Sequence, residues 1–256
     1  MRPELFRIEW RSQSLHVEAW TFFVVVGAIA GALWAVRTRR QRELVGKYVI
    51  EAALVLFVGG TIASLGTYAL VYHTESPWRG MHSFGWIVGS GISIGVYARV
   101  RRLSFWGGLD VIVPSLLLAS AIGRVGCLMK GCCHGAATAP PAGVFMRSAL
   151  LGPGYYLPVQ AILGVMDATL FLLLEFRLRR AATFRGQIAT TGLIGYSAYR
   201  FAAEFLRIDP IQVAWLTATQ LGCLVLGPVV LVVRRGLRRE GHAPFRRLEL
   251  GPVADR

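Results

Sequence analysis

Residues 105–129 read FWGGLDVIVPSLLLASAIGRVGCLM, an apolar run long enough to cross a lipid bilayer as one helix. The run ends inside residues 123–135, GRVGCLMKGCCHG, which contain an arginine, three cysteines and four glycines. Hydrocarbon normally excludes charge, so an arginine near the end of a membrane helix needs a partner and usually marks a functional site. Arg124 is therefore the starting point for the function of this chain.

Apolar runs of similar length recur along the chain, which indicates an integral membrane protein. Of its 256 residues, 54% are hydrophobic and only 16% are charged. We predict an all-α polytopic fold with seven transmembrane helices in a single domain, residues 1–256. The membrane core is expected at 17–235 and a basic tail at 236–256. The predicted spans are Glu18–Val36, Val49–Tyr72, His82–Val100, Phe105–Met129, Pro158–Phe176, Gln187–Glu204 and Leu216–Val233.

The net charge of +14 is explained by membrane topology rather than by nucleic-acid binding. The predicted odd-numbered loops and the C-terminal tail hold most of the basic residues, whereas the even-numbered loops hold few. By the positive-inside rule, the N-terminus lies outside and the C-terminus in the cytoplasm. The basic residues that set this orientation are Arg37, Arg39, Arg40, Arg42, Lys47, Arg99, Arg101, Arg102, Arg177, Arg179, Arg180 and Arg185, with seven more arginines after the last span.

A polar stripe on span six predicts a site near the outer leaflet. Tyr196, Arg200, Glu204 and Arg207 are spaced by four, four and three residues, so they share one helical face. Span four also runs outward, which brings Arg124 to the same leaflet. Arg200 would lie roughly 20 Å into a hydrocarbon layer of about 30 Å. Two guanidinium groups in such a place favour a lipid phosphate.

A structural alternative remains open for these residues: Arg200 and Glu204 pair only with each other, and backbone carbonyls cap Arg124. Asp110 and Asp167 are interpreted as structural. The cluster of Cys127, Cys132, Cys133 and His134 allows a metal site, a disulfide or tight packing, and packing is the default. No metal and no cofactor are predicted.

Several motifs together resemble one family, the prolipoprotein diacylglyceryl transferases. The segment 81–135 is similar to that family, whose signature loop begins Gly-Arg-x-Gly and closes on a glycine twelve residues after the first. Further similarity lies in PVQ at 158–160, YRFAAEFLR at 199–207 and TQ at 219–220. The resemblance covers most of the chain.

The resemblance implies transfer of the diacylglyceryl group of phosphatidylglycerol to the lipobox cysteine thiol of preprolipoproteins. It places the protein in the bacterial inner (plasma) membrane, with the active site toward the outer leaflet. Membrane lipid and preprolipoproteins are then the partners, and nucleic acid is not. The implied catalytic residues are Arg124, Arg200, Glu204 and, as candidate bases, His82 and His134. The implied substrate-binding residues are Arg124, Gly126, Cys127, Gly135, Gln160, Arg200 and Arg207.

The chain departs from the family at positions that would serve the acceptor thiol. Cys127 and Cys132 replace an asparagine and a glutamate of the signature loop, although a Gly-Cys-Cys version is familiar among distant members. Phe84, Glu18 and Thr61 stand where the family has histidine, tyrosine and arginine. A paralogous transferase or hydrolase that uses a different acceptor is therefore one alternative. A non-enzymatic seven-span sensor, channel or transporter is the second.

Overall fold

The computed structural model describes residues 4–10, 13–39, 46–72, 83–148, 151–208, 212–213 and 215–240. This part of the chain is mostly helical, and each predicted apolar run coincides with an α-helix. His82 and the tail from residue 241 onward lie outside the described residues. The helices are α1 (Ala19–Arg39), α2 (Gly46–Tyr72), α3 (Ser83–Val100), α4 (Phe105–Lys130), α5 (Val159–Leu172), α6 (Gln187–Glu204) and α7 (Ala218–Glu240).

Five helical segments in the described part of the chain are long and apolar enough to cross a membrane. The two shorter helices, α3 and α6, have 18 residues each and are not among them. Many large aliphatic side chains point outward; Leu33, Ile62 and Val232 are 64%, 66% and 67% exposed. Such a surface suits lipid rather than water. The five segments are Ala19–Thr38, Ile50–Leu70, Phe105–Lys130, Val159–Ala181 and Ala218–Arg239.

Three short antiparallel hairpins were not predicted from the sequence. They pair β1 (Glu4–Trp10) with β2 (Gln13–Glu18), β3 (Val144–Ser148) with β4 (Gly152–Tyr156), and β5 (Gln212–Val213) with β6 (Leu216–Thr217). All lie outside the helices, so the all-α prediction holds for the apolar segments alone. In β3 the side chains of Met146 and Ser148 are buried while Arg147 between them is exposed, as the period of a strand requires.

Glycines let α1 pack closely along α4. A Cβ added at Gly27 would lie 2.5 Å from the carbonyl oxygen of Ala119, and one at Gly31 would lie 2.6 Å from that of Ser115. Near the other end of the contact, a Cβ on Gly126 would lie 2.9 Å from Cα of Trp20. The two helices are therefore antiparallel and in backbone contact, the role that small residues take in membrane helix pairs.

Asp110 fixes α4 and α6 side by side with the same direction. This buried carboxylate, near the start of α4, accepts hydrogen bonds of 2.8 Å from the backbone N–H groups of Gly186 and Ala189, at the start of α6. Arg124 follows Asp110 by the same number of residues as Arg200 follows Gly186. Each arginine therefore lies about 21 Å along its helix from the point where Asp110 joins the two helices. The parallel arrangement thus carries both arginines to the same end of the bundle.

The end of α5 widens into a π-helical turn. After Leu172 the chain continues as a π-helix, Leu173–Leu178, and then as one 3₁₀ turn, Arg179–Ala181. The ring of Trp34 on α1 packs edge-on against Phe171 and Phe176, at centroid distances of 5.2 and 6.2 Å. Because α1 is antiparallel to α4, this region lies at the opposite end of the bundle from Arg124.

Candidate active site

The last turn of α6 buries an ion pair between Arg200 and Glu204. The two residues lie one helical turn apart, and they are 3% and 2% exposed. Nη1 of Arg200 donates to Oε2 of Glu204, and Nε of Arg207 lies 3.6 Å from the same oxygen. The hydroxyl of Thr217 donates to Oε1 at 3.3 Å. Glu204 is therefore a fixed carboxylate that orients two arginines, and it balances only one of their charges.

Three buried N–H groups around Glu204 make no hydrogen bond within the described residues, although one of them belongs to the longer ion pair with Glu204. They are Nε of Arg200, Nε2 of Gln220 and the ion-paired Nε of Arg207. Gln220 is itself held in place, because its Oε1 accepts from the backbone N–H of Thr217 at 2.9 Å and its own backbone N–H donates to the Thr217 hydroxyl. Unsatisfied buried donors are costly unless something binds to them. The cluster is thus suited to an anionic oxygen ligand.

Arg124 joins this site through Asp167. Its Nε lies 3.8 Å from Oδ2 of Asp167, a carboxylate that is completely buried on α5. Ser120, one turn before Arg124, donates to the same oxygen at 2.7 Å, and the Tyr199 hydroxyl donates to Oδ1. Asp167 therefore links α4 and α5 to α6, the helix that also carries Arg200.

A narrow crevice between α3, α6 and α7 leads to Arg200. Its walls are Ile87 from α3, Tyr196 and Arg200 from α6, and Thr219, Gly222, Cys223 and Leu226 from α7. The accessible lining is apolar, and the free volume is only about 10 Å³. The crevice therefore marks an apolar face beside the buried Arg200 and is not a ligand-sized cavity.

The turn after α4 is built on close backbone contacts. Gly131 ends the helix at φ +73°, and its N–H donates to the carbonyls of Cys127 and Leu128. Gly135 then forms a β-bridge with Arg207, and its N–H donates to the carbonyl of Leu157 at 2.9 Å. A Cβ on Gly135 would lie 2.2 Å from the carbonyl oxygen of Leu206. The loop is therefore fastened to the residues that carry Arg207.

Three thiols meet in this turn. The Sγ atoms of Cys127, Cys132 and Cys133 all lie within 4.8 Å of one another, and none of the three forms a disulfide. Cys133 has φ +60°, an uncommon conformation for a side-chain-bearing residue. Hydrogen bonds from Cys127 and Cys132, followed by the charges of Arg207 and Arg124, hold the pKa of Cys133 well below its ordinary value despite burial. The same cluster raises the pKa of Cys132.

The other predicted residues have distinct placements. The ring of His134 is buried; its Nδ1 lies 2.9 Å from the Gly135 carbonyl, its Nε2 lies 2.6 Å from the Ser148 hydroxyl, and it stacks on Tyr156. These contacts tie the loop to β3 and engage both ring nitrogens. Gln160 is fully buried at the start of α5, where its Oε1 lacks a donor within the described residues.

Four residues of the cluster were not among the predicted site residues. Asp167 was interpreted as structural, yet an acidic residue in an apolar segment is itself a signal of function. Tyr199 and Gln220 belong to quoted motifs but received no role. Thr217 sits outside the predicted polar stripe, and no signal in the sequence identifies it, because its contact with Glu204 depends on the β5–β6 turn.

Comparison with known proteins identifies the family of this chain. Residues 7–234 match the family model described as prolipoprotein diacylglyceryl transferase. The phosphatidylglycerol–prolipoprotein diacylglyceryl transferase of Clostridium tetani is 27% identical to this chain, and the match covers 92% of this chain and 98% of that protein. The Dehalococcoides mccartyi protein is 28% identical, and the match covers 85% of this chain and 88% of that protein. The Bacillus cytotoxicus protein is also 28% identical, and the match covers 96% of this chain and 97% of that protein. This chain therefore belongs to the prolipoprotein diacylglyceryl transferase family.

Proposed function

We propose that this protein transfers the diacylglyceryl group of phosphatidylglycerol to the lipobox cysteine thiol of preprolipoproteins. The observation that carries the proposal is the cluster of the buried Arg200 with the partly buried Arg124 and Arg207, whose guanidinium donors exceed the acceptors that Glu204 and Asp167 supply. A lipid phosphodiester provides the missing anionic oxygens. The names of the similar proteins specify both substrates.

The proposed setting is the bacterial inner membrane, with all seven helices crossing it and the cluster toward the outer leaflet. The N-terminus lies outside and the C-terminus in the cytoplasm, as the arginine distribution favours. A preprolipoprotein would then meet the cluster with its cysteine on the outer side. We place the entry of phosphatidylglycerol at the apolar face beside Ile87 and Gly222, where the narrow crevice must widen for the phosphate to reach Arg200 while the chains stay in lipid.

In the proposed reaction, the acceptor thiolate attacks the glyceryl carbon that carries the phosphate ester. A sulfur–carbon bond forms as the carbon–oxygen bond breaks, and glycerol phosphate leaves with the bonding electron pair. Negative charge grows on the departing phosphate oxygens. Arg124 and Arg200 stabilise that charge, because fixed donors in a dry site lower the energy of the transition state more than that of the bound substrate. Glu204 and Asp167 position the two guanidinium groups.

We assign His134 to holding the loop rather than to proton transfer, since its ring nitrogens contact Gly135 and Ser148. His82 remains the proposed base that takes the proton from the acceptor thiol. Gly126 and Gly135 allow the close packing of α1 and of the loop, while Cys127 and Gln160 line the surroundings of the phosphate.

Release of glycerol phosphate tests this function against its nearest rival. Purified protein in phosphatidylglycerol nanodiscs would be incubated with a lipobox peptide, with the matched Cys→Ser peptide, or with no peptide. A transferase releases glycerol phosphate only with the cysteine peptide. Release without peptide would assign the site to a lipid hydrolase, and no release in any arm, with lipid bound, would point to a different acceptor.

A further inference from the structure

A second cavity lies at the opposite end of the bundle from the arginine cluster. It encloses about 350 Å³ and is lined by Trp34, Arg37, Thr38, Glu175, Phe176, Arg179 and Arg180. The residues come from the end of α1 and from the π-helical and 3₁₀ turns after α5. The volume lies within the range of small-molecule sites. In the proposed topology it opens at the inner leaflet.

This cavity is chemically suited to an anion. Three arginines line it against one glutamate, and Glu175 is already paired with Nη2 of Arg179. Nε and Nη1 of Arg179 and Nε1 of Trp34 are buried N–H donors without an acceptor among the described residues. The hydroxyl of Thr38 donates to the Trp34 carbonyl at 2.7 Å, so its proton is not available to a ligand. Three unused donors on residues that line the cavity, beside excess positive charge, match the oxygens of a phosphate.

The backbone geometry supports a binding role. A π-helical turn is rare and occurs frequently at functional sites. Here it carries Glu175 and Phe176 into the cavity, and the following 3₁₀ turn carries Arg179 and Arg180.

The surroundings of the cavity favour a phosphate that is part of a lipid. Phe176 lines the cavity and is 50% exposed, and Leu33 and Leu173 nearby in sequence are 64% and 52% exposed. This apolar surface continues along the five apolar segments, so it would lie against acyl chains. Arg37 and Arg180 are exposed at the charged rim. An anionic headgroup fits this combination, since basic residues at the cytoplasmic end of membrane helices attract anionic lipid.

We propose that this cavity binds the phosphate of an anionic phospholipid from the inner leaflet, separately from the substrate site. The bound headgroup would join the end of α1 to the end of α5 by accepting from Trp34 and Arg179. The inference rests on these contacts and not on the transferase activity, so either proposal can fail alone.

Native mass spectrometry of the detergent-purified protein tests the proposal, with dioleoyl-phosphatidylglycerol, dioleoyl-phosphatidylcholine and inorganic phosphate as probes. Arg124→Ala serves as the background, so that the substrate site contributes little. Trp34→Phe keeps an aromatic ring and removes the indole N–H donor. Arg179→Lys keeps the positive charge and removes the planar guanidinium with its parallel N–H donors. Each should weaken retention of phosphatidylglycerol about tenfold or more. Arg177→Gln, an exposed arginine of the same turn that does not line the cavity, should leave it unchanged.

Thermal unfolding of each variant separates weakened binding from misfolding. Unchanged lipid retention in folded Trp34→Phe and Arg179→Lys proteins would overturn the proposal. Equal retention of phosphatidylcholine would overturn the preference for an anionic lipid. Displacement of the lipid by inorganic phosphate at equal concentration would assign the cavity to a soluble anion and overturn the lipid source.

Discussion

Oδ2 of Asp167 lies 3.8 Å from Nε of Arg124, which joins the signature loop helix α4 to α5 through a fully buried carboxylate. The same carboxylate accepts hydrogen bonds from Ser120 and Tyr199. A buried charge with this many partners is held in one orientation, and it holds Arg124 in turn. The proposed phosphate-binding geometry thus depends on a residue that makes no proposed contact with the substrate.

Asp167→Asn tests this positioning role. The amide keeps the shape of the side chain but loses the charge that holds Arg124, so we expect kcat/KM to fall about 100-fold with the protein still folded. The measurement is initial-rate transfer to a lipobox peptide in nanodiscs. Restoration by Asp167→Glu to within a few fold would support the electrostatic explanation, whereas wild-type activity in Asp167→Asn would refute it.

Asp110 provides the matched contrast, because it is a buried aspartate that caps α6 far from the arginines. Removal of two hydrogen bonds to a carboxylate by Asp110→Ala should cost about 2–5 kcal/mol of unfolding free energy. Thermal unfolding in detergent measures this loss. The turnover of the remaining folded protein should change little, and a selective loss of turnover at unchanged stability would contradict the assignment.

Arg200→Lys keeps the positive charge but removes the planar fork that can bind Glu204 and a phosphate together. We expect kcat/KM to fall about 100- to 1000-fold, because a fixed donor to the leaving group is lost. Phosphatidylglycerol binding, measured by native mass spectrometry, should fall less than turnover. Equal losses of binding and turnover would show that Arg200 stabilises the ground state alone.

Gly135→Ala should displace the loop from Arg207. The new Cβ would lie 2.2 Å from the Leu206 carbonyl oxygen, a backbone atom that has little freedom to move. We expect loss of most activity and faster proteolysis of the loop. Gly91→Ala is the control, because a Cβ at Gly91 meets no atom within 4 Å. Equal activity of the two variants would show that the close approach is not required.

Cys133 should react with iodoacetamide at lower pH than an ordinary cysteine. Its pKa is lowered by hydrogen bonds from Cys127 and Cys132 and by the arginine charges, so the thiolate persists as pH falls. A free cysteine changes its thiolate fraction by roughly 50- to 100-fold between about pH 8 and 6. Tandem mass spectrometry of labelling in membranes should show a smaller change at Cys133 than at Cys132, whose pKa is raised. An equal pH dependence would contradict this electrostatic account.

The positions of the helices could be predicted from the sequence because each apolar run has an arginine or a glycine close to at least one of its ends. The Arg200–Glu204 pair was also predictable, since helical spacing alone brings the two side chains together. The contact of Thr217 with Glu204 was not, because it depends on the fold of the β5–β6 turn. The interpretation of Asp167 as structural missed its contact with Arg124. Contacts between residues on different helices depend on how the helices pack, and the sequence alone does not show that packing.

Mass spectrometry of the acceptor is the most direct test of the central claim. A lipobox peptide would be incubated in phosphatidylglycerol nanodiscs with the wild-type protein, with Arg124→Ala and with Arg177→Gln. The account predicts a diacylglyceryl thioether on the peptide cysteine with the wild-type and Arg177→Gln proteins, and none with Arg124→Ala. An unmodified cysteine with folded, lipid-loaded wild-type protein, or a full yield of adduct with Arg124→Ala, would contradict it.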